Sequence, residues 1–141
     1  MKNKSLNLSV FAEDKNLKKD GVPIYPLSSS DAFFLVPRIG GFEYQNQIQE
    51  IKRSIYGIYA ENSEIDFNKI AAAWLGEYIQ GWEGVESNGE DLEFNRNNCR
   101  AIFNNEAYRE SLVTILIDKA SKYENYLTQE GREAIEELKK L

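Results

Sequence analysis

The sequence predicts an α+β fold, mainly α, with a small N-terminal antiparallel β-sheet of about three strands followed by four to five helices. Three observations carry this. Short apolar runs bounded by turn residues, and all 3 prolines, precede residue 42. Beyond that point apolar residues recur three and four apart, the period of an amphipathic helix. Apolar residues make up 42% and aromatics 12%, enough to build a core. A chain of 141 residues is expected to form one domain, with a β-rich part over residues 1–41, a helical part over 42–127 and a C-terminal helix over 128–141 whose attachment stays open.

In chain order, Leu6, Leu8 and Val10 alternate with Asn7 and Ser9, the period of a half-buried strand, and Phe11 leads into a charged connection. Asp20-Gly21 signals a turn. The runs Val22 to Leu27 and Ala32 to Ile39, joined by Ser28-Ser29-Ser30-Asp31, read as two further strands. Pro23, Pro26 and Pro37 cannot donate to a ladder and so suit edges or strand ends.

After Gly40-Gly41, the residues Tyr44, Ile48, Ile51, Ile55 and Ile58 form one helical stripe. Phe67, Ile70, Ala71, Trp74, Leu75, Tyr78, Ile79 and Trp82 form a second, which Asp66 or Ser63 is placed to cap and Gly81 or Gly84 to end. Asn95 begins a short helix carrying Cys99, Ile102 and Phe103, interrupted at Asn104-Asn105. A longer helix places Leu112, Val113, Leu116, Ile117, Ala120, Tyr123 and Leu127 on one side. Thr128 then caps a last segment bearing Ala134, Ile135, Leu138 and Leu141.

Charge and composition exclude several function classes. The net charge of −6 is uneven: residues 1–59 carry eight Lys/Arg against six Asp/Glu, and residues 60–141 carry nine against seventeen. Such a field repels phosphate backbones and anionic lipid headgroups, so neither nucleic acid nor a membrane is expected as a partner. No run of apolar residues reaches the length of a membrane span or of a signal-peptide core. The one cysteine forms no intrachain disulfide, and a cytoplasmic location is expected.

Catalytic templates fail on particular residues. Histidine is absent, which removes the commonest general base together with Ser-His and Cys-His pairs. Cys99, in step with Ile102 and Phe103, reads as a buried thiol. Glu86, Glu90, Asp91 and Glu93 crowd one loop but lack the ligand spacing of a calcium loop, and so read as a solvated acidic segment. No glycine pattern for cradling phosphate occurs. No enzyme activity, cofactor or metal is expected.

The segment Gly81-Trp82-Glu83-Gly84-Val85, followed by Asn88-Gly89-Glu90 and by Leu92-Glu93-Phe94-Asn95, is a structured connector between helices. Trp82 closes the preceding apolar stripe, Gly84 permits a left-handed exit, Asn88-Gly89 makes a tight turn, and Phe94 staples the helix capped by Asn95. Trp82 is either core or, as a favoured interface anchor, part of a partner-binding rim.

In order and local pattern, residues 17–127 resemble the small tail assembly chaperones of tailed bacteriophages and prophages. The resemblance runs through Asp20-Gly21-Val22, Phe34-Leu35-Val36-Pro37-Arg38, Gly40-Gly41-Phe42-Glu43-Tyr44, the Gly81 to Val85 connector, and Gly89 with Leu92-Glu93-Phe94-Asn95. It implies a non-enzymatic factor of the bacterial cytoplasm, absent from the finished particle. Such a factor binds the tape-measure protein, keeps its long apolar helices soluble and helps tail-tube protein polymerise around it. Homo-oligomerisation is open. On this reading Ile135, Leu138 and Leu141 of the last helix join Tyr78 or Trp82 in a contact surface. The alternatives are a structural head-tail connector or tail-completion subunit, or a small regulatory protein-binding module.

Overall fold

The computed structural model describes residues 5–57 and 65–140. Three expected positions, Ile58 in the first helical stripe, Ser63 as a cap and Leu141, lie outside the described residues. The fold is α+β and mainly α, with a small three-stranded antiparallel sheet and a two-stranded hairpin.

The first expected strand does not form. The Asn7 side chain accepts the Ser9 N–H at 3.1 Å and turns the chain into a 3-10 turn at Leu8–Phe11, which leaves Leu6 and Leu8 exposed. Local capping by Asn outcompetes a three-residue alternation that has no neighbouring strand to pair with. The charged connection that follows is helix α1 (Lys15–Asp20), started by the Asp14 carboxylate, which accepts the N–H groups of Asn16 and Leu17 at 2.9 and 3.3 Å.

The sheet comprises β1 (Val22–Ile24), β2 (Phe33–Val36) and β3 (Gly81–Glu83), with β2 in the middle and both pairings antiparallel. Its third strand therefore comes from the connector rather than from residues 6–10. Pro23 lies on an edge strand, where its missing N–H costs nothing. Gly21 is fixed twice over: its φ is 87°, and a Cβ there would stand 2.9 Å from the backbone of Leu35 and Val36.

Helix α2 (Phe42–Tyr56) follows Gly41, and α3 (Phe67–Tyr78) starts at Asp66, whose carboxylate accepts the Lys69 N–H at 3.1 Å. Helix α3 ends at Tyr78, one turn before the expected limit at Gly81 or Gly84. The Arg96 guanidinium donates to the Gly76 and Ile79 carbonyls at 2.9 and 2.8 Å, satisfying groups that a longer helix would have paired. Gln80 then donates its N–H to Leu35, and Trp82 sits opposite Phe34 in the sheet instead of closing the helical stripe.

The hairpin of β4 (Glu86–Ser87) and β5 (Glu90–Asp91) turns through Asn88 and Gly89 at φ 55° and 78°, the left-handed pair of a type I′ turn. Asn95 caps α4 (Arg96–Asn104) by accepting the Asn98 N–H at 2.8 Å. Helix α5 (Arg109–Ala120) is shorter than its expected stripe: Tyr123–Tyr126 form a 3-10 turn, and the buried Tyr126 hydroxyl bonds to the Val36 and Pro37 carbonyls at 2.9 and 3.0 Å. Helix α3 is the hub of the core, packing on α2, α4 and α5 with Trp74 and Leu75 fully buried.

Helix α6 (Gln129–Lys139) starts at Thr128, whose hydroxyl accepts the Gly131 N–H at 3.3 Å. It is seated on the N-terminal 3-10 turn. Gly131 packs directly against the Val10 carbonyl, Thr128 donates its N–H to Ala12 at 3.0 Å, and Ser9 reaches Glu130 at 3.2 Å. Among the described residues no helix is long and apolar enough to cross a membrane.

Candidate functional site

One end of the sheet opens into an apolar cleft of about 510 Å3. Its floor is Phe34 of β2, which is buried and set edge-on to Trp82 and Phe103 with ring centroids 5.8 and 6.1 Å away. One wall is the β1–β2 connection, with Pro26 and Leu27; the Lys119 ammonium holds it in place by donating to the Tyr25 and Pro26 carbonyls at 2.8 and 3.2 Å. The second wall is the hairpin, whose base residues Val85 and Leu92 are joined by a backbone bond of 2.9 Å. Tyr108, Leu112 and Ile115 of the α5 region form the third, with Ile102 behind them. Leu27 and Tyr108 remain 56% and 40% exposed, so apolar surface continues outward from the cleft.

The segment that forms the hairpin is acidic, and of its carboxylates Glu86 lines the cleft. Glu83, Glu86, Glu90, Asp91 and Glu93 are all exposed, and between Glu83 and Asn95 the chain has no lysine or arginine. This is the solvated acidic segment expected from the sequence. Among the described residues no group of three or more Asp, Glu or Cys side chains is placed to hold a metal ion.

Of the five residues expected to contact a partner, the structure does not gather the four it describes. Trp82 is 8% exposed, and its indole N–H donates to the Leu92 carbonyl at 2.7 Å. It is core, and it anchors the hairpin from beneath rather than offering a face to a partner. Its ring also meets Phe94 perpendicularly at 4.9 Å. Tyr78 is half-buried, stacked on Trp74 at 5.7 Å, and lines a separate cleft with Lys18, Arg38, Phe42 and Tyr44. Burial, with Glu50 and Glu77 nearby, pushes its hydroxyl pKa up. Ile135 lines a third cleft with Leu17, Val22 and Pro23, Leu138 is 64% exposed, and Leu141 lies outside the described residues. These residues fall in different places: Trp82 in the sheet, Tyr78 in one cleft and Ile135 in another.

Cys99 is fully buried with its Sγ 3.5 Å from the Leu75 carbonyl, and burial pushes its pKa up to about 11. It is a core thiol, as its spacing indicated, and not an activated nucleophile.

The cleft residues Leu27, Val85, Tyr108 and Ile115 escaped the sequence reading. One signal was present: Ile115-Leu116-Ile117 points apolar groups in three directions, more than one core-facing stripe can use. Leu116 enters the core, while Ile115 turns to the cleft. No protein-family model, curated protein or solved structure matches the chain.

Proposed function

We propose that this chain is a non-enzymatic tail assembly chaperone of the phage and prophage type, acting in the bacterial cytoplasm. Its cleft beside α5 holds an apolar helical segment of the tape-measure protein until tail-tube protein polymerises around it. The observation that carries this reading is the cleft itself, which is lined mainly by apolar side chains, open at one end of the sheet and extended by the exposed Leu27 and Tyr108. A groove of that kind receives the apolar face of a partner helix. The sequence resemblance across residues 17–127 supplies the partner, and the absence of histidine and of an activated thiol supports binding over catalysis.

Co-expression with the tape-measure protein tests it. The chain is expected to keep that protein soluble and to co-purify with it. Ser111→Trp, which plugs the cleft from an exposed position on α5, is expected to abolish both effects while leaving the fold intact. Co-purification undiminished by Ser111→Trp refutes the cleft as the site. Finding the chain in purified particles by mass spectrometry replaces the chaperone with a structural connector or tail-completion subunit.

A further inference from the structure

We infer that the segment seated in the cleft is an amphipathic helix with lysine or arginine flanking its apolar face, and that the β4–β5 hairpin selects it by charge. This rests on the proposed binding role of the cleft and specifies its partner. Glu86 lines the cleft, Asp91 and Glu90 pair across the hairpin with Glu86 and the lining Ser87, Glu83 and Glu93 flank the hairpin in sequence, and among the described residues no ion pair reaches any of them. Elsewhere, Glu13, Glu77 and Glu124 each hold a cation within 3.2 Å. Two cations of the surrounding helices are already engaged, Arg96 by the Gly76 and Ile79 carbonyls and Lys119 by those of Tyr25 and Pro26, while Arg109, next to Tyr108 of the cleft wall, forms no ion pair with the hairpin carboxylates.

Like charges crowded on a short hairpin repel one another, and a cationic partner relieves that repulsion as it docks. An acidic partner adds to it. The apolar cleft supplies contact area and the hairpin supplies orientation and partner choice, the usual division between buried apolar core and charged rim at an interface. The type I′ turn at Asn88 and Gly89 sets the register of the hairpin, which places Asp91 opposite Glu86 and Glu90 opposite Ser87 at the cleft wall.

The test uses the full chain and two labelled synthetic helices of about five turns, each with leucine and phenylalanine along one face and differing only in Lys or Glu flanks. Fluorescence anisotropy is read at about 0.05 M and about 1 M salt. The Lys-flanked helix is expected to bind at least about tenfold more tightly at low salt, and the preference to collapse at high salt. Glu86→Lys/Glu90→Lys/Asp91→Lys is expected to invert the preference, and Glu86→Gln/Glu90→Gln/Asp91→Asn to erase it; both change exposed positions only. Equal binding of the two helices, blocked by Ser111→Trp, overturns charge selection and leaves the cleft reading standing. Binding of neither helix overturns the cleft reading as well. A Lys preference that survives both hairpin variants overturns the role of the hairpin.

Discussion

Replacing Trp82 with phenylalanine separates a core anchor from a partner contact. In the folded protein the indole N–H donates to the Leu92 carbonyl at 2.7 Å, and the ring sits between Phe34 and Phe94 at 5.8 and 4.9 Å. Phenylalanine keeps an aromatic ring but removes the donor and leaves the carbonyl without its partner, a loss of about 1–1.5 kcal/mol. The smaller ring also leaves a void between two aromatic neighbours, adding about 1 kcal/mol. The expected destabilisation is thus about 2–3 kcal/mol, a large share of a small protein's stability. Urea unfolding followed by far-UV circular dichroism measures it without relying on Trp fluorescence. Because the lost bond ties Leu92 at the hairpin base, partner affinity should fall as well. An exposed anchor behaves differently: its replacement leaves stability within about 0.5 kcal/mol. A stability change that small for Trp82→Phe would refute the core-anchor argument.

Gly131→Ala improves intrinsic helix propensity by about 1 kcal/mol, yet it is expected to destabilise, since a Cβ at that position runs into the Val10 carbonyl; limited proteolysis should then cut residues 5–14 or α6 first, and resistance equal to wild type would show that the contact does not hold α6. The Glu77 carboxyl is held below its usual range by its hydrogen bond from Arg100, which outweighs a partial burial that raises it. Because the folded value is depressed, this pair stabilises above the ordinary carboxylate value of 4.5 and is lost as pH falls through the lower folded value; Arg100→Gln should flatten that acid limb of the melting curve, and an unchanged limb refutes the pairing. Cys99 should resist iodoacetamide at pH about 8 in the native protein and react fully in denaturant, since burial holds its thiol pKa up at about 11; rapid native labelling would place it outside the core.

Much of the architecture was legible because it rests on neighbours a few residues apart. Asp66, Asn95 and Thr128 all cap helices where spacing placed them, since a cap bonds the N–H two or three residues on. Asn88-Gly89 announced its turn for the same reason. Trp82 marks the limit of such reasoning. Its offset of fifteen from Phe67 fits a helical stripe, but one turn of that helix is exchanged for a strand because Arg96, far along the chain, caps the helix carbonyls and Phe34 offers a pairing edge. The cleft was invisible for a related reason: Leu27, Val85, Tyr108 and Ile115 come from three separate stretches, and no local period links them.

The sequence by itself determined the fold class, the caps at Asp66, Asn95 and Thr128, the Asn88-Gly89 turn, the buried thiol, the acidic segment and the lack of histidine chemistry. Each of these depends on residue type or on short-range hydrogen bonding. Only the tertiary structure decided which segment completes the sheet, that α6 rests on the N-terminal turn through Gly131, and that the acidic hairpin stands over an apolar cleft. Those outcomes depend on which distant surfaces bury one another, a competition settled by packing rather than by any property of one stretch of chain.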